Sequence, residues 1–455
     1  MSLLLPPLAE AAEEPLRKSL SELASDLAMG RLSSRQLVSL CLGQVEKLDH
    51  QIKAWVMIDQ AGALAAADES DERRSKGRPR SELDGIPFGV KDIIDVAGWP
   101  TVAGFEPWKN KIARTDAAIV AQMRSLGMIP LGKTVTTQFA SIDPPATQNP
   151  WNFAHTPGGS SSGSCAAVAC RMVPLALGSQ TGGSINRPAS FCGVVGLKMA
   201  YGEWPVQGVV PCSPSLDTLG PILTRVSDLP LLLENMTGRF ESESYRKSLE
   251  NGLGGNRNSP LRIARLTGRF NELAEPEMMA AVDTIENRLQ KGGCQVEAID
   301  GSAVFNDRLW QVHRTIMMSE CFYTHEKWFA EHEAHYLPKI SGWVKTGREI
   351  PESEYHKMAT ERGQFIHNFQ KLFNDFDAIL VPAARGAAPT PETTGDPVLN
   401  APWTLLGVPS LTVPAMLSKN GLPLGVQIVA TRFGGTGFGR MLAAGIMADS
   451  NEIHE

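Results

Sequence analysis

The feature that most narrows what this chain can become is the alternation of two apolar periods between residue 115 and about residue 270. "DAAIVAQMRSLG" repeats apolar residues at helical spacing and runs straight into "MIPLGKT", a short apolar stretch bounded by glycine. Helix followed by strand, repeated, layers helices over a sheet buried on both faces, so its strands read as near-continuous apolar runs. Such strands are expected in "PFGVKDII", "VPLALG", "DAILVPA", "PSLTVPA" and "PLGVQIVA". Residues 17–75 are mostly helical in pattern, with "LSSRQLVSLCLGQVEKLDH" opening on serines that can cap. Residues 275–375 are helix-rich and carry most of the aromatics and histidines. No linker rich in glycine, serine or charge separates two sheet-forming parts. The expectation is one large α/β domain over residues 1–455, with an N-terminal helical region at 17–75 and a helix-rich insertion at 275–375.

Composition removes several classes of function. A net charge of −6 without a clustered basic face argues against nucleic acid as a direct ligand. The seven cysteines, Cys41, Cys165, Cys170, Cys192, Cys212, Cys294 and Cys321, form no C-x-x-C pair, and an odd count fits a reducing cytoplasm. Cys165, Cys170 and Cys192 lie among small and apolar residues, as buried inert thiols do. The apolar start "MSLLLPPLAEAAEEP" lacks a basic lead and breaks at Pro6-Pro7, so no signal peptide is expected. No apolar run approaches the roughly 18 residues of a membrane span.

Two motifs invite a functional reading and lose it on context. "GMIPLGKT", Gly127 to Thr134, matches a phosphate-binding loop, but such a loop needs a strand before its first glycine and a helix after its lysine. Here a helix ends at Gly127 and a strand follows, so the glycine reads as a helix cap. "HEKWFAEHEAH" holds His325, His332 and His335 without the i, i+4 pair of a zinc helix, and a partly exposed polar helix is expected instead of a metal site. No cofactor is expected.

The chemistry concentrates in "TPGGSSSGSCAAVACRMVPLALGSQTGGSINRP", residues 156–188. A glycine-serine turn leads into a small-residue helix from about Ser164, then a strand, then a second turn, "SQTGGS". Glycines there let successive backbone N–H groups converge on one point, which makes an oxyanion hole or an anion nest. A serine hydroxyl attacks poorly until a base takes its proton. Only His155 lies near in sequence, which leaves Lys91 as the other candidate. A lysine on a buried apolar strand loses hydration, and its pKa falls from about 10.4 towards neutrality, at a cost of about 4 kcal/mol for three units.

From "LDGIPFGVKD" through "TPGGSSSGS", "GSQTGGSINRP" and "FCGVVGLK" to "GLPLGVQIVA", the chain resembles the amidase-signature hydrolases. That resemblance implies a large mixed sheet surrounded by helices and a Ser–cis-Ser–Lys triad. Lys91 would be the base, Ser160 the bridging serine and Ser184 the nucleophile, with the cis bond at Gly159-Ser160. Thr181, Gly182 and Gly183, with Ser184 itself, would supply the oxyanion hole. Ser179 and Gln180 would support it, and Ser161 would stand with Arg187 on the substrate side while able to bond within the triad network. Three positions depart from the commoner pattern: Ser162 replaces a frequent glycine, Gln180 an aspartate, and Met199-Ala200 a Pro-Thr-like pair.

Arg187, three residues past Ser184, can hold a carboxylate in a bidentate fork, or else serve a salt bridge within the fold. "TVTTQFASIDPPATQNPWN", "GSQTGGSINRPASFCG" and "TTGDPVLNAPWTLLGVP" resemble the malonamidase branch, in which the matching arginine binds the acid end of malonamate. The resemblance therefore implies hydrolysis of a small carboxylate-bearing amide to acid and ammonia. Carboxybiuret-like and other small amides stay open, as does a glutamine-hydrolysing subunit of a tRNA-dependent amidotransferase. A homodimer is expected. The aromatics between 305 and 345 suit a lid or a dimer surface, and Trp403 and Pro382 either line the pocket or pack the core.

Overall fold

A computed structural model of the chain describes residues 6–236, 260–432 and 435–449. Residues 237–259 of the expected alternation, and the first five of the N-terminal apolar patch, lie outside the described residues. Among the described residues there are eleven strands: β1 Trp55–Ile58, β2 Pro87–Lys91, β3 Ile129–Thr134, β4 Leu175–Gln180, β5 Val195–Lys198, β6 Thr218–Leu223, β7 Arg262–Thr267, β8 Gln295–Asp300, β9 Ala378–Pro382, β10 Ser410–Leu417 and β11 Pro423–Ala430. They form one sheet in the order β1-β3-β2-β4-β6-β5-β10-β11-β9-β7-β8. The sheet is mixed: β2 runs parallel to β3 and β4, and β7 to β8 and β9, while β10 pairs antiparallel with β5 and β11. Helices surround it in a single domain. The inner strands β2, β3, β4, β6, β9 and β11 are buried at every position, which is why their sequences lack alternation.

Differences from the sequence reading fall at the edges. β1 lies inside the 17–75 region and β8 inside the 275–375 segment, so neither segment is helical throughout. β8, "QVEAID", is an exposed edge strand with polar residues on both faces, and it carries no apolar run to announce it. β2 is shorter than "PFGVKDII": it stops at Lys91, where the N–H groups of Ile93 and Ile94 turn back onto the Lys91 carbonyl at 2.8 and 2.9 Å.

The nucleotide-loop lookalike folds as a cap and a core strand. The helix Ala118–Ser125 ends before Gly127, whose φ is +86°. Lys133 is fully buried in β3 and pairs with buried Asp92 at 3.0 Å, so it offers no charge to a phosphate. Among the described residues no helix is long and apolar enough to cross a membrane.

Candidate active site

β2 and β4 are parallel neighbours with Val90 opposite Leu177, so their C-terminal ends emerge side by side. Lys91 ends β2, and Ser179-Gln180 end β4. The turn before the helix Ser162–Ala169 folds against both, bringing Ser160 and Ser161 to the same point. Lys91 Nζ lies 2.7 Å from Ser160 Oγ, 2.7 Å from Ser179 Oγ and 3.1 Å from Ser161 Oγ. Lys91, Ser160 and Ser161 are all fully buried. Burial pushes the Lys91 amine down to about 7, against weaker support for its charge from Cys165, Asp217 and Cys212. The Gly159-Ser160 peptide is cis.

The loop after β4 is held by its carbonyls. Thr181 O accepts from His313 Nε2 at 2.9 Å, and Gly182 O from Thr404 Oγ1 at 3.0 Å. Gly183 O accepts from Arg187 N at 3.0 Å, and Ser184 O from Ser161 N at 3.3 Å. A planar trans peptide points each N–H opposite its neighbouring carbonyl, so occupying these carbonyls within the protein aims the following N–H groups the other way. The N–H groups of Thr181, Gly182, Gly183 and Ser184 have no protein acceptor among the described residues. Four such donors beside a serine make a cradle for negative charge. Gly183 is required by close approach: a Cβ there would stand 2.5 Å from Asn400 Oδ1 and 2.9 Å from Arg187 Nη1.

Gln180, where an aspartate is commoner, braces this loop. Its Oε1 accepts from Ile185 N at 2.8 Å and Asn186 N at 3.0 Å, and its Nε2 donates to Thr404 Oγ1 at 3.2 Å. Thr181 Oγ1 donates to Asp217, whose other oxygen accepts from the N–H groups of Cys212 and Ser213. Burial pushes the Asp217 carboxyl up to about 6.

Ser184 opens into a cavity of about 370 Å³. One wall is Thr181 to Ser184 with Arg187. The facing wall comes from the helices Asp307–His332 and Pro338–Arg348, through Trp310, His313, Arg314, Met317, Met318, Lys339 and Trp343, and residues 393–398 close a side. Arg187 is buried and its Nε donates to Thr394 O at 2.7 Å. Its Nη2 donates to Gly159 O at 2.7 Å, and its Nη1, also buried, has no partner among the described residues. Burial lowers its pKa to about 10, with Asp396 opposing.

Ser161 stands behind this wall, against Lys91, and does not line the cavity; its Oγ donates to Ser179 O at 3.2 Å. Trp403 is fully buried in an aromatic cluster, 5.6 Å from Phe270 and 5.1 Å from Phe305 between ring centres. Pro382 lies in β9, where its carbonyl accepts from Gln427. His155 bonds Ala388 O, away from the serines. The histidine segment is partly exposed: its polar residues face outward, while His325 is fully buried beside Phe139 and bonds Tyr336 Oη at 3.0 Å, because the helix turns its aromatic face inward. The thiols of Cys165, Cys170 and Cys192 are buried, and burial pushes each up.

Sequence reasoning missed His313 and Asp217, which hold the nucleophile loop. A signal for His313 was present: Trp310, His313, Arg314 and Met317 fall at i, i+3, i+4 and i+7, on one helix face.

Such a fold and site define a hydrolase of amide C–N bonds. The chain belongs to the amidase family, whose profile, described as Amidase, matches residues 36–436. A glutamyl-tRNA(Gln) amidotransferase subunit from Thiobacillus denitrificans is 32% identical over 463 residues, spanning 91% of this chain and 94% of the relative. Its counterpart from Myxococcus xanthus is 31% identical over 474 residues, spanning 93% and 95%. The chain also superposes, with a TM-score of 0.85 and 29% identity over 95% of its length and 99% of the other's, on a structure from a vestigial protein complex revealing the evolutionary origins of an s-triazine catabolic enzyme. A crystal structure of an amidase gives a TM-score of 0.81 at 27% identity, covering 94% and 99%. These relatives bear out the family; the curated ones are amidotransferase subunits rather than malonamidases.

Proposed function

We propose that the protein hydrolyses a small carboxylate-bearing amide, of the malonamate kind, through a Ser184 acyl-enzyme with Ser160 and Lys91 as proton relay. The observation that carries this reading is the buried Lys91 amine, held by three hydroxyls beside a loop whose free N–H groups flank Ser184. Neutral Lys91 takes the proton of Ser160 as Ser160 takes that of Ser184, and Ser184 Oγ attacks the amide carbon. The carbonyl oxygen, now negative, is received by the N–H groups of Thr181, Gly182, Gly183 and Ser184. The proton returns through Ser160 to the departing nitrogen, which leaves as ammonia, and water cleaves the acyl-enzyme by the same relay. Gly159, Ser161, Ser179 and Gln180 act by fixing this geometry.

The acid group is the part of the reading that rests on charge. Arg187 offers, at the nucleophile loop, an N–H without a partner among the described residues, and Arg314 and Lys339 add two cations to the cavity. The carboxylate among the lining residues, Asp396, lies 3.4 Å from Arg385. An anionic amide is favoured by that imbalance. Seven unpaired cysteines support a cytoplasmic setting. Ammonia release from malonamate, carboxybiuret, acetamide and glutamine tests the reading: turnover faster on neutral acetamide than on malonamate would refute the acid requirement.

A second reading, the glutamine-hydrolysing subunit of a tRNA-dependent amidotransferase, is favoured by the relatives of that name. It predicts glutamine turnover that depends on added partner chains, whereas the first predicts turnover by a homodimer alone, read by gel filtration with assay of the fractions.

A further inference from the structure

We propose that Nδ1 of His313 is a hydrogen-bond acceptor that recognises an N–H of the bound substrate, so that the cavity selects carboxamides over the corresponding esters. The inference rests on the amide-hydrolase reading above and deepens it. His313 Nε2 lies 2.9 Å from Thr181 O. A carbonyl can only accept, so Nε2 carries the hydrogen, and in a neutral ring the lone pair then sits on Nδ1. The ring is 5% exposed. Burial pushes its pKa down to about 4, which keeps it neutral in ordinary buffers. Nδ1 meets no protein donor among the described residues.

The ring's position ties that lone pair to the reaction. His313 lines the cavity, and its Cε1, the atom between the two nitrogens, comes 3.8 Å from where a Cβ on Gly182 would stand. The ring edge therefore runs along the nucleophile loop, with Nε2 fixed to the loop and Nδ1 one bond beyond Cε1. Everything else this loop presents to a substrate is a donor, suited to a carbonyl oxygen or a carboxylate. An acceptor beside it complements what an amide has and an ester lacks. An ester oxygen placed there would face the lone pair and leave it unsatisfied, which a site built for a hydrogen bond discriminates against.

The test compares malonamate, read by ammonia, with monomethyl malonate, read by methanol, in the wild-type protein and in His313→Phe and His313→Gln. Phe keeps the ring shape; Gln keeps a donor for Thr181 O but carries no acceptor at the Nδ1 position. The expected result is that the amide-to-ester ratio of kcat/KM falls by about tenfold or more in both variants. Amide and ester rates falling together in both would make His313 a prop for the loop and overturn the proposal, as would an unchanged ratio. Wild-type protein that releases no ammonia from any acid-bearing amide would remove the underlying reading and this inference with it, whereas ammonia release with an unchanged ratio removes the inference alone.

Discussion

Replacing Lys91 by methionine separates what the buried amine does for catalysis from what it costs the fold. With its pKa at about 7 instead of 10.5, the side chain is half neutral at pH 7. A solvated lysine would be neutral in roughly 3 of 10,000 molecules at that pH, so burial multiplies the available base roughly 1,500-fold. The log of kcat/KM for ammonia release is expected to rise with unit slope up to about pH 7 and then level. Stability carries the opposite mark of the same shift. The unfolded chain holds this proton up to about 10.5 and the folded chain only to about 7, so the unfolded state binds more protons between those values. Stability gained from losing the proton therefore accrues as pH rises through that window, and below pH 7 the full cost is present. Lowering the amine from 10.5 to about 7 corresponds to about 5 kcal/mol at most, less three hydrogen bonds of about 1 kcal/mol each. Lys91→Met is expected to be inactive and, by urea unfolding, more stable than wild type at pH 6–7 by about 2 kcal/mol, an advantage that reverses towards pH 10. Asp217, at about 6, titrates nearby, so Asp217→Asn serves as a control: the limb persists and, with that support for the Lys91 charge gone, moves to slightly lower pH. An activity limb at pH 9 or above, or a stability difference that does not change with pH, would refute the desolvation argument.

Ser184→Ala is expected to abolish turnover and the acyl adduct seen by intact mass, while malonate still binds in calorimetry. Arg187→Met removes the free Nη1 and the 2.7 Å bonds to Thr394 and Gly159. It is expected to raise KM for acid-bearing amides by about a hundredfold, the scale of a lost buried charge-assisted pair, and to affect neutral amides far less. Lys133→Met leaves Asp92 buried without its 3.0 Å partner and is expected to cost about 3–5 kcal/mol in urea unfolding, with turnover of the folded fraction unchanged.

The parts legible in the sequence are those whose physics is local. Strands buried on both faces, such as "PLGVQIVA" and "DAILVPA", show as apolar runs because every side chain meets a layer. The turns at 156–164 and 178–188 show because glycine and serine are dictated by backbone approach. β8 does not show, since an edge strand needs only one neighbour and tolerates polar residues, and β1, "WVMI", is four residues set between two helical patterns, too short to break their period. Nor does the far side of the cavity: His313 reaches Thr181 across 132 residues of chain, and helical spacing marks its face without naming what that face meets. Ser161 illustrates the same limit at short range, because neighbouring serines in one turn look alike until the turn's direction is known.

The two walls of the cavity come from unrelated stretches of chain. The amine, the hydroxyls and the N–H cradle belong to the ends of β2 and β4 and the turn between them, whereas the opposing surface is a few side chains on the helices Asp307–His332 and Pro338–Arg348. Such a scaffold can exchange one nitrogen source for another by redrawing residues that take no part in attack or proton transfer, and descendants can inherit the cutting apparatus intact while their diets diverge.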